Sequence, residues 1–470
     1  MTLDVLEVAR VPPAYDFDSI FNSTNSLTIP LTFFDLPWLL FHPIKRVFFY
    51  RLTESTPEHF HSFILPKLKL SLSLVLCKYL PLCGRITWGP NEPKPNIVVS
   101  QNGAVSLTVA ETDADFSRLS GYGQRPVSEL HTLLPELPVS NDSATAFSLQ
   151  ITLFPNQGFS IGVVSHHSVL DGKSSSMFIK AWAHLCKQNT VSLPESLTPS
   201  LDRSLIKDIT GLDEEILELV RSLKEDKTNK RSLSPNPART IADDVVLATL
   251  VLSRDDVERL KEQVKSESPD RSIHLSTFVI AYAYAWTCCV KARGGNGERL
   301  VSLLFGGDLR KRLDPPLPAT YFGNCMFPTG CFIRKAADFE EDRGFVTAVE
   351  ILSDLVKGLS APKVETIAKE FTVGFDSLAV TSQFGSVSGS NQLQIYESDF
   401  GWGRPVKVDV VSIDQGEAYS MAERRDESGG MEIGMCLKKS EMDLVVSFFN
   451  NGLQKLKSLF LCVKFEFLTR

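Results

Sequence analysis

Near its midpoint this 470-residue chain changes texture: residues 201–240 are densely charged and then run into a Ser/Pro/Asn stretch. That is the composition of a connector rather than of a packed layer. A single core seldom grows past about 100–200 residues, so the break predicts two domains. They are residues 1–200 and residues 241–470, joined by a charged crossover linker over 201–240. Both flanks mix strand-like and helix-like runs, which puts the chain in the α/β class.

In the first half, KRVFFYRL (45–52) is aromatic and β-branched and reads as a strand. Residues 57–80 carry Phe60, Ile64, Leu68, Leu72, Val75 and Tyr79 at helical spacing, although LKLSLSLVL also alternates. Length and the Pro57-Glu58 start favour a helix. SLQITLF and FSIGVVS, separated by Pro155-Asn156-Gln157-Gly158, predict a β-hairpin over 144–165. Helical spacing resumes after Gly172 with Met177, Phe178, Ala181, Trp182 and Leu185. The second half opens with a strand (245–253) and a helix begun by Ser253 with Asp255 and Asp256. A long apolar helix capped by Ser276 follows, and a final helix spans 440–458. The tail after residue 453 has no pattern of its own.

A net charge of −7 argues against a nucleic-acid partner, while leaving room for a local basic pocket. The nine cysteines include no CxxC pair and several sit in apolar runs, so free buried thiols in a reducing compartment are expected. Asp4 and Glu7 interrupt what would be the apolar core of a signal peptide. The apolar run 276–290 is shorter than the roughly 20 residues that span a bilayer. These features predict a cytoplasmic protein with no membrane segment.

Three segments carry candidate chemistry. In His166-His167-Ser168-Val169-Leu170-Asp171-Gly172, a strand ends on a histidine and turns through Asp-Gly. A neutral imidazole at that layer edge can act as general base on a hydroxyl. His166 then faces the opposite side and packs. The plain alternative is a strand end that happens to carry two histidines. Tyr321-Phe322-Gly323-Asn324-Cys325 is a loop that lines a channel or turns a corner. Asp399-Phe400-Gly401-Trp402-Gly403 has two glycines that permit a tight turn, and read singly it is structural. No Gly-x-Ser-x-Gly elbow and no zinc-ligand spacing occurs, so neither an acyl-serine nor a metal is expected.

Taken together, HHSVLDG, YFGNC and DFGWG, with LTIPLTFFDLPW (27–38), YLPLCGRI (79–86) and VSIDQGEA (411–418), resemble the plant BAHD acyltransferases along essentially the whole chain. The resemblance implies two chloramphenicol-acetyltransferase-like domains, each an open mixed sheet with helices, with a solvent channel between them. It further implies a monomer, no permanently bound cofactor, and acyl-CoA as co-substrate. His167 would be the general base in a direct transfer. Asp171 would pair with an arginine and hold the turn, supported by Gly172. Asp399 is carried over as catalytic by convention but reads as architectural, supported by Phe400, Gly401, Trp402 and Gly403. Arg310 matches the arginine that such an aspartate pairs with. For CoA the match suggests Lys261, Ser276 and Thr277, with Arg46 a further candidate.

Within that family, LTFFDLPW, LFPNQGFSIG, HHSVLDGKSSSMFIKAWA and VSIDQGEA are most similar to the malonyltransferase branch that acts on phenolic and flavonoid glucosides. Malonyl-CoA ends in a carboxylate, which needs a cation close by. Lys173 and Lys180 are the nearest basic residues in sequence. The expected reaction moves a malonyl group onto a sugar hydroxyl, the 6-OH. The alternatives are a hydroxycinnamoyl transferase on anthocyanin glucosides and a non-catalytic scaffold of the same fold.

Overall fold

The computed structural model describes residues 2–14, 26–52, 56–224, 229–359, 366, 368–369, 381–426 and 428–468, the side chains of residues 40 and 459–468 excepted. A six-stranded mixed sheet forms the first half. Its order is β1 (Leu3–Val11), β6 (Val105–Thr112), β9 (Phe147–Phe154), β10 (Gly158–Ser165), β3 (Ile44–Arg51) and β15 (Lys407–Val410). A small antiparallel sheet lies beside it: β2 (Ser26–Pro30), β5 (Asn96–Ser100), β4 (Arg85–Thr87) and β8 (Ser143–Thr145). The second half is a seven-stranded mixed sheet. Its order is β13 (Met326–Lys335), β12 (Leu300–Asp308), β14 (Gln383–Gly389), β16 (Ala418–Glu423), β17 (Met431–Lys438), β11 (Val245–Leu252) and β7 (Arg125–Pro126).

The expected hairpin is β9–β10, and every residue of both strands is buried, the mark of strands covered on both faces. Asn156 takes φ 60° in the turn, a conformation asparagine tolerates. The helices also follow their local signals: α1 (Leu65–Leu76), preceded by a helical turn from Pro57, and α2 (Gly172–Gln188), whose Met177, Phe178, Ala181, Trp182 and Leu185 are buried. In the second half, α4 (Arg254–Glu267) opens with the Ser253/Asp256 capping box, and α5 (Thr277–Arg293) is capped by Ser276.

Two expectations need correction. The charged crossover contains a packed helix, α3 (Leu212–Leu223), with Leu212, Ile216, Leu217 and Val220 buried. Asp208 accepts from the amides of Leu212 and Asp213 at 2.7 and 2.9 Å. The surrounding charges hid a narrow apolar stripe at helical spacing. The last helix, α7 (Lys439–Leu468), continues ten residues past its expected end, for no proline or glycine follows Gly452 to stop it; α6 (Gly344–Gly358) packs in the same half.

The sheets do not separate at the crossover. β7 leaves the first half to pair with β11, and β15 leaves the second half to pair with β3. The exchanged strands are joined by a buried ion pair between Arg125 and Asp409. Lys407 adds a further link to Glu432 at 3.2 Å. Among the described residues no helix is long and apolar enough to cross a membrane, and eight cysteines carry free thiols, seven of them buried.

Candidate active site

The β10 strand runs straight into the histidine segment. Pairing with β3 ends at Ser165 opposite Ile44, and the chain then folds into a turn in which the Val169 amide donates to the His166 carbonyl. Asp171 ends the turn by capping α2, its Oδ1 accepting from the Ser174 amide at 2.9 Å. His166 is buried, and its Nδ1 accepts from the Ser168 amide at 3.3 Å. Burial lowers its pKa to about 3, so it packs as a neutral ring.

His167 is set deep but keeps partial exposure. Its ring lies flat on Trp38, with centroids 4.0 Å apart, and Phe41 stands edge-on at 6.2 Å. Asn324 donates from Nδ2 to the His167 carbonyl at 2.9 Å and to Asp35 Oδ1 at 3.0 Å. Both are acceptors, so the amide nitrogen must face them. The remaining Asn324 Oδ1 is buried without a partner, as is His167 Nδ1. Of the two ring nitrogens it is Nδ1 that is sealed in, so Nε2 is the one left to meet a substrate hydroxyl. Burial pulls the His167 pKa down to about 4, with Arg46 adding to the effect, against the opposing pull of its own carbonyl, Asp171 and Asn324.

The YFGNC loop is stapled to the histidine turn. Arg310 Nη2 meets Asp171 Oδ2 at 2.7 Å and donates to the Gly323 carbonyl at 2.9 Å. Ser174 Oγ exchanges hydrogen bonds with the carbonyl and amide of Gly323 at 2.9 and 3.0 Å. The Cys325 amide donates to Asp171 Oδ2 at 3.3 Å. Burial would raise the Asp171 pKa, but Arg310 and the Ser174 and Cys325 amides outweigh it and hold the carboxyl below its ordinary range. Gly323 takes φ 150°, and a Cβ there would collide with the buried Arg203 guanidinium.

The arginine that sequence reasoning offered to a motif aspartate therefore serves Asp171. Asp399 is held by Lys187 at 2.6 Å and by the amides of Gly401 and Gly403 at 2.8 and 2.9 Å. Lys187 lies 16 residues along from Asp171, about 24 Å at helical rise. Asp399 thus stands at the far end of α2 from the histidine turn, where it shapes the DFGWG loop. Gly401 and Gly403 take φ 110° and 99° to bring both amides onto its carboxylate. Phe400 packs edge-on against Tyr50 and Trp182, and Trp402 against Phe159. The loop thereby delivers β15 to the first sheet.

A cleft of about 1140 Å³ follows α2 from Asp171 and Gly172 to Asp399. Lys173 and Lys180 line it, each near a carboxylate: Asp308 at 3.8 Å and Glu397 at 4.0 Å. Lys261, paired with Glu258 at 2.8 Å, and Ser276 and Thr277 at the start of α5 are not among its lining residues. Arg46, opposite Val163 on β3, is buried behind Gly172.

Sequence reasoning missed Asp35 and Trp38 as parts of the site, and gave Asn324 no role beyond its place in the YFGNC loop. Asp35 did leave a signal, because a lone carboxylate inside the apolar run LTFFDLPW has to find buried donors. It finds four, the amide and side chain of Thr32 and of Asn324.

A base that is neutral above about pH 4 makes a specific prediction. The acid limb of kcat/KM, which reports the free enzyme, should fall near pH 4 and leave no step between pH 6 and 8. An acid limb at the ordinary histidine value of about 6.5 would show that the reacting ring is not this buried one.

The Transferase family model matches residues 20–451. Phenolic glucoside malonyltransferase 2 of Arabidopsis thaliana is 72% identical over 453 residues, covering 96% of this chain and all of that protein. The malonyl-CoA:anthocyanidin 5-O-glucoside-6''-O-malonyltransferase of Arabidopsis thaliana is 47% identical, covering 96% and 98%. Among solved structures, vinorine synthase superposes with a TM-score of 0.69 at 20% identity, covering 94% of this chain and 96% of that one. This last likeness speaks for the fold alone.

Proposed function

This chain belongs to the Transferase (BAHD) family of acyltransferases, and from that premise we propose that it moves a malonyl group from malonyl-CoA to the sugar 6-OH of a phenolic or flavonoid glucoside. One observation carries the reading: a partly exposed, neutral imidazole is held by the motifs of both halves, in a chain 72% identical end to end to a phenolic glucoside malonyltransferase.

His167 Nε2 takes the proton of the acceptor hydroxyl as its oxygen attacks the thioester carbonyl. The tetrahedral intermediate collapses, the C–S bond breaks, and the imidazolium returns the proton to the CoA thiolate. Asp171 and Arg310 position the turn and touch neither substrate. Cys325 is the thiol bonded into this site through its backbone amide. Burial pushes its pKa up, so it stays a thiol, which supports direct transfer over an acyl-cysteine. In this reading residues 1–200 and 241–470 form the two lobes between which the substrates meet. The enzyme acts as a cytoplasmic monomer, a setting in which buried thiols stay reduced.

The test is a paired donor assay. Malonyl-CoA and coumaroyl-CoA are each offered with a panel of phenolic, flavonol and anthocyanin glucosides, and products are weighed by mass spectrometry. Malonylated glucosides are expected. Reaction with the aromatic donor alone sinks the malonyl assignment, and no turnover with either donor favours the scaffold.

A further inference from the structure

Residues 197–205, where the first half passes into the charged crossover, run alongside the YFGNC loop. The Tyr79 hydroxyl donates to the Leu197 carbonyl at 2.7 Å. The Ser200 amide donates to the Thr320 carbonyl and the Phe322 amide to the Ser200 carbonyl, each at 2.9 Å. Together they form a short parallel bridge between Ser200 and Tyr321. Two backbone bonds fix the register, and three residues further on the crossover presents Arg203 to the same loop.

Arg203 is only 7% exposed, which is unusual for a cation in a connector. Its Nη1 donates to the Tyr321 hydroxyl, and its guanidinium lies over the Tyr321 ring, 5.2 Å from the centroid. Arg310, the partner of Asp171, lies 5.8 Å from the same centroid. Gly323 completes the seat, since a Cβ there would fall 1.7 Å from Arg203 Nη1. Burial alone would pull the Arg203 pKa down, but Asp35, foremost among its neighbours, more than compensates and keeps it charged. Asp35 accepts from the amide and the side chain of Asn324, and Asn324 in turn donates to the His167 carbonyl. Contacts therefore run from the crossover through the YFGNC loop to the segment that carries the imidazole.

Resting on the reading of His167 as the base, we propose that Arg203 is a positioning residue: from the crossover it pins Tyr321 and Gly323, and so fixes the Asn324 that holds the His167 carbonyl. It acts through that loop alone. The consequence for rate is geometric, because a general base has to stand within hydrogen-bond reach of the proton it takes. A displacement of about 1 Å can cost about 100-fold. A second crossover arginine makes an internal control. Arg231 stacks on Trp88, 5.2 Å from the ring centroid, and donates to the carbonyls of Gly89 and Glu92. It ties the crossover to the first half and has no contact with the YFGNC loop.

The experiment measures kcat, and KM for donor and acceptor, in the wild type, Arg203→Met, Tyr321→Phe, the double variant and Arg231→Met. Malonyl-CoA and one phenolic glucoside are the substrates, with coumaroyl-CoA taking the donor's place if malonyl-CoA does not react. Each protein is assayed well below its own melting temperature. Arg203→Met should lose about 10–100-fold in kcat, with both KM values within about threefold of the wild type. Tyr321→Phe deletes a single oxygen and carries the test if the methionine protein does not fold; it should lose about tenfold in kcat. The double variant should be no slower than Arg203→Met, because both changes release the same loop. Arg231→Met should keep its kcat, whatever it does to the melt. Equal kcat losses in Arg203→Met and Arg231→Met, losses that multiply in the double variant, an effect confined to KM, or undiminished turnover in Tyr321→Phe would each overturn the assignment. In all of these the wild type is active, so they strike only this inference. A wild type inert to both donors strikes the acyl-transfer reading first and this inference with it.

Discussion

His167→Ala should slow turnover by about 10²–10⁴-fold at saturating donor and acceptor, the usual worth of a placed general base. No neighbour can take over the role. His166 is buried, and its Nδ1 is already occupied by the Ser168 amide. Asp171 is spent on Arg310 and two backbone amides. The alanine protein should still fold, because the ring is partly exposed and its loss leaves Trp38 in contact with Phe41 at 4.9 Å. Steady-state kinetics together with a thermal melt check both halves of the expectation. Undiminished turnover would remove His167 from the chemistry.

Arg310→Met should destabilise the protein by about 3–5 kcal/mol, because it strands the Asp171 carboxylate in the interior. Activity should fall with it, since the Asp171–Arg310 pair joins the histidine turn to the YFGNC loop. The pH dependence has a definite sign. Asp171 has a folded pKa below its unfolded value, so its contribution is present above the unfolded value and is lost as pH falls through the folded one. In the variant the stranded carboxylate is relieved by protonation. The gap between the two proteins should therefore be widest near neutrality and shrink in acid, as urea unfolding at several pH values would show. A gap independent of pH would place the cost in packing instead. Asp399→Asn provides the contrast. Lys187 is 47% exposed, so losing that pair should cost no more than about 1 kcal/mol.

Much of the architecture was legible before any coordinates. The β9–β10 hairpin, the amphipathic α2 and the Ser253 and Ser276 caps all followed from side chains within a few positions of one another. So did the position of His167, just past the end of a buried strand. The helix inside the charged crossover escaped notice because its four buried apolar residues are diluted by acids and bases that face water. The DFGWG segment was read as architectural from its glycines, and the structure gives those glycines a loop to shape. What the sequence left open was its place, at the far end of α2 beside Lys187.

What eluded the sequence was partnership at long range. Asp35 and Asn324 are 289 positions apart, Asp171 and Arg310 are 139 apart by residue number, and Arg125 meets Asp409 only because each half lends a strand to the other. Periodicity, turn chemistry and capping are short-range properties, because a backbone dihedral or an orphan amide answers to its near neighbours. Which carboxylate an arginine neutralises is settled by burial, after the sheets have come together and water has been expelled. The chain marked its candidate base in seven consecutive residues; the Asp171–Arg310 pair that positions its turn came together only once two distant halves were packed against each other.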